Sequence, residues 1–197
     1  MCDMRLIDRL LAVMENDIVP ATVAAVGRGN KIFGAAILRK SDLSIVVIGT
    51  NNEIENPLWH GEVHAIRRLH ELPRSERPAP GEMLFLSTHE PCTLCLSAIT
   101  WAGFDNFYYL FSHEDSRDSF HIGHDLKILK EVFLCAPGGY ARRNAYWTAR
   151  RIGDLIAACD EEARRGFDTR VRTLEKIYEG LSAVYQKGKA NNDIPLK

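Results

Sequence analysis

Two short motifs constrain this chain more than any other feature of its sequence. The first is His60-Gly61-Glu62, and the second is Pro91-Cys92-Thr93-Leu94-Cys95. One imidazole and two thiolates are a typical ligand set for zinc, and three protein ligands leave the fourth tetrahedral position open for water. Bound zinc lowers the pKa of that water to about 7. The motifs therefore predict an open zinc site at His60, Cys92 and Cys95, with Glu62 beside it to carry protons.

A closed structural zinc site is the alternative interpretation of the same residues. Such a site usually has a second Cys-x-x-Cys or His-x-x-x-His pair, and the chain contains only one Cys-x-x-Cys. His60 and His64 have the spacing of a metalloprotease pair, but there the glutamate directly follows the first histidine. Here Gly61 intervenes. Because a structural site has no use for the Glu62 carboxylate, the open site is favoured.

Length, charge and cysteine content narrow the class of protein. The chain has 197 residues and a formal net charge of -1, which allows one domain with a helical appendage and argues against a protein that coats polyanions. Its five cysteines are an odd number and predict a reduced protein without a disulfide scaffold. The N-terminus lacks the pattern of a signal peptide, and no apolar run approaches ~18 residues. We therefore expect a soluble, cytoplasmic protein without a membrane partner.

Hydrophobic periodicity predicts strands and helices that alternate around the motifs. Helices are expected behind Asp3, from His60 and from Pro91, so that each motif opens a helix and directs its positive dipole end at the metal. A hairpin turn is expected after an apolar stretch at 21–26, strands at 32–38, 44–48, 83–86 and 107–111, and a loop of titratable side chains at 113–125.

The C-terminal part of the chain is predicted to be mostly helical. A break at Pro137-Gly138-Gly139 divides a zinc-binding domain, residues 1–136, from a C-terminal helical extension, residues 137–197. The extension carries an amphipathic stripe from Val171 to Val184 and is expected to pack on the domain or on a partner subunit. Its last residues, 187–197, are expected to be loose.

The two motifs resemble those of the cytidine/deoxycytidylate deaminase superfamily, within which the chain looks closest to the guanine deaminase and tRNA adenosine deaminase-like branch. The similarity covers roughly residues 5–135. It implies an α/β fold, a three-layer α-β-α sandwich with a central mixed sheet of about five strands, followed by the helical extension. It also implies Zn²⁺ as cofactor, with His60, Cys92 and Cys95 as ligands and Glu62 as the catalytic proton shuttle.

The resemblance also implies a set of substrate contacts. Asn51 is similar to the asparagine that holds the base in guanine deaminases, although an Asx-turn would equally explain an asparagine there. Trp101 lies in a segment where that branch places an aromatic side chain near the substrate, and Trp59 is expected to shape the pocket. The branch has a paired aspartate after the fourth strand that is absent here, so Asp118 or Asp125 is expected to supply the carboxylate.

The activity implied by the resemblance is hydrolytic deamination of a nucleobase or nucleoside. Zinc-bound hydroxide would attack the amine-bearing ring carbon and ammonia would leave, with a purine such as guanine as the favoured substrate. The resemblance further implies a homodimer in which Tyr140, Tyr146 or Trp147 closes the site of the partner.

Three alternatives to this activity stay open. A tRNA adenosine deaminase, which converts adenosine to inosine, needs a basic groove, so nucleic acid is a less favoured partner than a small molecule. A cytosine or cytidine deaminase is the second alternative, because His-Gly-Glu also occurs in fungal-type cytosine deaminases. The third is a non-catalytic, zinc-stabilised interaction module.

Overall fold

A five-stranded mixed sheet lies at the centre of the computed structural model, which describes residues 2–136 and 139–197. The strand order is β2-β1-β3-β4-β5. β1 pairs antiparallel with both β2 and β3, whereas β3, β4 and β5 run parallel. The bounds are β1 Gly34–Arg39, β2 Ile45–Thr50, β3 Met83–His89, β4 Asn106–Phe111 and β5 Thr148–Arg151.

Helices cover both faces of this sheet. They are α1 Met4–Val13, α2 Val19–Gly27, α3 Gly61–Glu71, α4 Thr93–Trp101, α5 His113–Asp118, α6 His124–Glu131, α7 Ile152–Ala157 and α8 Glu161–Gly188. A π-helical turn, Met14–Ile18, joins α1 to α2, and single 3₁₀ turns lie at Pro80–Glu82 and Lys189–Asn191. The predicted three-layer α-β-α architecture with a five-stranded mixed sheet is confirmed.

Alternate residues of β3 contribute to two separate hydrophobic cores, as the two-residue repeat of a strand requires. Leu84 and Leu86 pack with residues of α1, α2 and α8 on one face, including Tyr178. Met83 and Phe85 pack with residues of α3 and α4 on the other. Because both faces of β3 are buried, the strand is apolar along most of its length and has no polar face.

The C-terminal extension adds to the core of the domain. Phe167, Leu174 and Tyr178 of α8 are buried in the same cluster as α1 and α2. Pro137 and Gly138, at which the domain boundary was predicted, lie outside the described residues. The boundary at 136/137 therefore stays a prediction, whereas α8 is part of the packing of this chain.

Several local expectations are wrong. The hairpin turn expected after the apolar stretch 21–26 is instead the end of a helix, because this stretch belongs to α2, which tolerates Pro20 in its first turn. The segment after β4 forms α5 and α6 instead of a loop. The last residues are held in place, because Ile194 is buried and Asn192 Nδ2 donates to the carbonyl of Gly29 at 2.9 Å.

The cysteines also differ from expectation, because Cys2 and Cys159 form a disulfide, with their Cα atoms 4.8 Å apart. Cys92, Cys95 and Cys135 are free thiols. Disulfides are rare in reducing compartments. The disulfide therefore does not support the cytoplasmic localisation, which stays a prediction.

The N-terminal helical segment is more apolar than the sequence analysis indicated. Residues Met4–Gly27 are long and apolar enough to cross a membrane by length and composition alone. Half of the segment's most apolar stretch is buried inside the domain, where Leu10, Met14 and Ile18 have no exposed surface. We assign the segment to the core, in which it covers the sheet.

Candidate active site

Two helix N-termini bring the two motifs together. His60 is the N-cap residue of α3 and Cys92 is that of α4, while Cys95 lies in the first turn of α4. His60 Nδ1 is 3.4 Å from Cys92 Sγ and 3.8 Å from Cys95 Sγ. Tetrahedral zinc with ordinary Zn–S and Zn–N bonds separates such donors by roughly 3.5 Å. The three donor atoms therefore fit zinc, with Nδ1 as the histidine ligand.

Gly61 is required for α3 to begin where it does. A Cβ at this position would lie 2.9 Å from the Cα of Gly34 and 3.1 Å from the carbonyl carbon of Phe33, both in the backbone that leads into β1. Backbone atoms at that distance cannot give way as a flexible side chain could. The central glycine of His-Gly-Glu thus allows the first turn of α3 to touch the sheet, which fixes His60 and Glu62 at its edge.

The Glu62 carboxyl group lies beside the predicted ligands and is held from both sides. Ser87 Oγ on β3 donates to Glu62 Oε1 at 2.7 Å, and the Cys95 thiol donates to Oε2 at 3.1 Å. Burial, followed by the negative charge of Cys92, raises the pKa of Glu62. A carboxyl group in this environment takes up a proton more readily than one in water.

The protonation of the metal-free cluster is set by the mutual contacts of its members. Burial opposes a charge on His60, but the hydrogen bond to Cys92 and the negative charges of Cys92, Glu53 and Glu62 raise the pKa of His60 to about 9. Hydrogen bonds from Cys95 and His60 hold the pKa of Cys92 well below its usual range, against the effect of burial. Burial and the neighbouring Cys92 charge raise the pKa of Cys95. One thiolate and one imidazolium thus form a pair that zinc would replace.

A cavity of about 360 Å³ opens onto this cluster, a volume typical of small-molecule sites. His60, Glu62, Cys92 and Cys95 contribute to one part of its wall. Most of the remaining wall is apolar and consists of Phe33, Leu58, Leu94, Ile122, Ile128, Ile194, Pro195 and Leu196. Apolar walls with a few converging polar groups are suited to a flat ring that carries polar substituents.

A buried network fixes the residue that precedes the second motif. Glu90 Oε1 accepts from the hydroxyl of Tyr140 and, at 3.3 Å, from Arg142 Nη2. Glu90 Oε2 accepts from the backbone N–H of His113 at 3.1 Å. The network ties the start of α4 to the segment before β5. Tyr140, which was expected to close a partner's site, is thereby engaged within its own chain, and Trp147 is buried in the core.

Two of the five predicted substrate contacts lie at the site. Asp125 lines the cavity from the first turn of α6; burial, and then the charge of Cys92, raise its pKa to about 7. Asn51 is fully buried next to the cavity wall and uses its amide within the protein. Its Oδ1 accepts from the N–H of Gly61 at 2.8 Å and its Nδ2 donates to Glu53 at 2.7 Å.

The other three predicted contacts do not line the cavity. Trp59 stacks on His64, with Arg67 3.9 Å above its ring. Trp101 is 91% exposed at the end of α4, because the helix turns this position away from the core. Asp118 is exposed and pairs with its neighbour Arg117 at 2.6 Å. We therefore do not retain these three side chains as substrate contacts in this site.

Several residues at the site were missed by the sequence analysis. Ser87 gave no signal, since a serine in an apolar strand has no distinguishing pattern. Lys31 and the C-terminal residues Ile194–Leu196 come from segments distant in sequence from both motifs, and Glu53, seven residues before His60, has no pattern that distinguishes it from a surface glutamate. The start of α5, by contrast, could have been predicted from the sequence, since Ser112 and Asp115 form a capping box.

Comparisons with known proteins agree with this geometry. Residues 12–111 match the family model for the cytidine and deoxycytidylate deaminase zinc-binding region. The guanine deaminase of Bacillus subtilis (strain 168) is 32% identical over 89 residues, which is 44% of this chain and 54% of that protein. The chain thus spans about half the length of this curated relative.

Solved structures of NE0047 share the fold. A mutant of NE0047 in complex with 8-azaguanine is 17% identical, with a TM-score of 0.52 over 84% of each chain. A structure from a study of A-to-I editing by tRNA:A34 deaminases is 20% identical over 68% of this chain and 94% of its own, with a TM-score of 0.44. With a family model matched over half of its length and the His-Cys-Cys cluster assembled beside Glu62, the chain belongs to the cytidine and deoxycytidylate deaminase family of zinc-binding proteins.

Proposed function

We propose that the protein hydrolytically deaminates a free nucleobase or nucleoside, with a purine such as guanine as the favoured substrate. The observation that carries this proposal is the position of the Glu62 carboxyl group, next to the three zinc donors and in the wall of a mostly apolar cavity. A structural zinc site would not need a carboxyl group there. The 32% identity to a guanine deaminase supports the choice of a purine.

Zinc and three residues of the chain have separate roles in the proposed reaction. Zinc, when bound, acts as a Lewis acid and lowers the pKa of a water molecule to about 7. Glu62 would take a proton from the attacking water and give it to a ring nitrogen as the C–O bond forms, and would then move the second proton to the amine, which leaves as ammonia when the C–N bond breaks. Ser87 holds Glu62 Oε1 in place, so that Oε2 stays directed at the cluster. We further propose that Asp125 contacts the substrate, since its carboxyl group lines the cavity from α6.

The C-terminal residues that line the cavity favour a small ring over an RNA loop as the substrate. Residues Ile194, Pro195 and Leu196 of the C-terminal tail cover one side of it, and the chain's net charge of -1 does not indicate a phosphate-binding groove. A splayed-out nucleotide within a stem-loop would have to displace this tail. A free base or nucleoside can enter without a path for the flanking nucleotides.

The test is ammonia release by the zinc-loaded protein from guanine, adenine, cytosine, their nucleosides and a tRNA anticodon stem-loop. We expect release from a free purine, and release at least ~100-fold slower by the matched Glu62→Gln protein. Release from cytosine or its nucleoside alone would show that the substrate is a pyrimidine, deaminated by the same mechanism. Release from the stem-loop alone, or from no compound in the panel, would overturn the proposal.

A homodimer is the second part of the proposal. Large apolar side chains are exposed on the described chain, among them Trp101, Phe133, Leu134 and Tyr146, and an interface would remove such groups from water. Light scattering across a concentration series measures the mass directly. A constant mass of one chain would contradict the dimer without affecting the proposed chemistry.

A further inference from the structure

A buried ion pair lies next to the zinc ligands and has no part in the chemistry described so far. Lys31, between α2 and β1, places its Nζ 2.6 Å from Glu53 Oε1, and the side chains are only 6% and 1% exposed. Both residues line the cavity. Burying two charges is costly, and an ion pair at such a depth is weak evidence for a role in stability. A role other than stability must therefore explain why the Lys31–Glu53 pair lies beside the zinc ligands.

Glu53 is held by hydrogen bonds from Lys31 and Asn51 and faces His60. Oε1 receives Lys31 Nζ and lies 3.7 Å from His60 Nε2. Oε2 accepts from Asn51 Nδ2 at 2.7 Å. Asn51 in turn accepts the N–H of Gly61, the first residue of α3. The carboxylate thus has a fixed position relative to the helix that carries His60 and Glu62.

The orientation of the His60 ring explains why the position of the Glu53 carboxylate matters. Its Nδ1 faces the two cysteine sulfurs, so zinc binding requires a free lone pair on Nδ1 and places the ring proton on Nε2. Nε2 is the atom that faces Glu53. A shift of roughly half an ångström would bring this pair into hydrogen-bond range. Histidine ligands commonly donate their second ring N–H to a carboxylate, which fixes the tautomer and makes the ligand more basic.

We propose that Glu53 is a positioning residue for the metal, which holds His60 in the tautomer and orientation that bind zinc through Nδ1. Lys31 neutralises the buried carboxylate and keeps it in place, and Asn51 supports it from the other side. The asparagine that the sequence analysis assigned to the substrate thereby supports the zinc ligand through Glu53. The proposal rests on the zinc site and on no particular substrate.

Three variants distinguish a role of Glu53 in zinc binding from a role only in the ion pair with Lys31. They are Glu53→Gln, Lys31→Met and the double variant. Zinc affinity is measured by competition with a chromophoric chelator, and the stability of the metal-free protein by urea unfolding. We expect Glu53→Gln to weaken zinc binding ~10- to 100-fold. Lys31→Met leaves the carboxylate at His60, so its zinc affinity should stay within about threefold of the wild type, although an unpaired buried charge lowers its stability.

The double variant decides between the two explanations. It contains neither buried charge, so it should be more stable than Glu53→Gln, yet its zinc affinity should stay as low as that of the Glu53→Gln protein. Zinc affinity equal to that of the wild type would show that Glu53 merely pairs with Lys31, and would overturn the proposal. Because the double variant retains no unpaired buried charge, its zinc affinity can test the proposal even if the Glu53→Gln protein does not fold.

Cobalt(II) substitution provides a second measurement that does not depend on turnover. The visible bands of bound cobalt report the ligand field, so they should shift in both variants that lack the Glu53 carboxylate and stay unchanged in Lys31→Met. Unshifted bands in the Glu53→Gln protein would contradict the proposal. If the protein deaminated no purine at all, the chelator and cobalt results would still decide the role of Glu53.

Discussion

At the scale of single residues, the site depends on side chains whose proton affinity is altered by burial. Glu62 and His89 are both buried, and their pKa values are shifted in opposite directions. Burial disfavours the charged form in each case, so a carboxyl group holds its proton more readily and an imidazole holds it less readily. The raised pKa of Glu62 suits the proton transfer proposed for it, and the lowered pKa of His89 affects stability.

Replacing Glu62 by glutamine should lower turnover greatly and leave the metal in place. The amide keeps the shape of the side chain and an acceptor for Ser87 Oγ, but it cannot take a proton from water. General acid–base catalysis contributes ~10²- to 10⁴-fold, and we expect ammonia release to fall by at least the lower figure. Zinc content by atomic absorption is the control. Full activity in the variant would rule out Glu62 as the proton carrier.

His89 should make the stability of the metal-free protein depend on pH. Burial, and then the charge of His113, lower its pKa from 6.5 to about 3. The unfolded chain therefore binds the proton first as the pH falls. The contribution of His89 to the free energy of unfolding is complete above pH 6.5. It decreases as the pH falls toward 3, by roughly 3 kcal/mol between pH 7 and pH 4.

Urea unfolding in the presence of a chelator measures this effect. His89→Asn cannot titrate, so the variant should lose less stability than the wild type between pH 7 and pH 4. His121→Asn, at an exposed position, is the matched control and should follow the wild type. Parallel curves for His89→Asn and the wild type would show that His89 does not carry the pH dependence.

At the scale of elements, the sequence predicted the parts whose pattern is local. The four longer strands, the two helices that open at the motifs and the amphipathic α8 all follow from hydrophobic repeats and helix-start signals. β5 was not located, because Thr148–Arg151 has four residues, includes two arginines and lies at the edge of the sheet. The contacts of Ser87 with Glu62 and of Lys31 with Glu53 join distant segments, so no local pattern indicates them.

The C-terminal tail is an element whose order depends on such long-range contacts. Asn192 Nδ2 donates to the carbonyl of Gly29, the N–H of Ile194 donates to Asn192 Oδ1 at 3.2 Å, and His124 Nε2 lies 3.2 Å from the carbonyl oxygen of Lys197. Ile194 is only 2% exposed. A short polar segment of this kind is expected to be loose from its composition, and the structure holds it against the cavity.

Removing the buried side chain of this tail should weaken substrate binding more than the chemical step. Ile194→Asp places a carboxylate where about 1.5–3 kcal/mol of apolar burial is gained, so the tail should detach and KM should rise ~10-fold or more. The zinc donors and Glu62 are unaffected, so kcat should change less than KM. Val184→Asp, which introduces the same carboxylate at an exposed position of α8 outside the cavity wall, is the control. Unchanged KM in Ile194→Asp would show that the tail does not close the site.

At the scale of the whole molecule, the two ends of the chain meet on the same face of the sheet. α8 packs on α1 and α2, and Arg170 of α8 binds Asp8 of α1 at 2.7 Å and Glu15 at 2.8 Å. The disulfide between Cys2 and Cys159 lies in the same region. The helical layer on this face is thus assembled from α1 and α2 near the start of the chain and α8 near its end.

The disulfide should therefore stabilise the whole fold. It closes a loop with a sequence separation of 157 residues, and a cross-link over a long loop restricts the unfolded chain most. Cys2→Ser should lower the free energy of unfolding by about 2–4 kcal/mol, measured in urea under non-reducing conditions. Cys135→Ser, at a free thiol, should leave it nearly unchanged. Titration of the unfolded wild type with a thiol reagent gives an independent result: three reactive thiols are expected, and five would show that the ends of the chain are joined by packing and ion pairs alone.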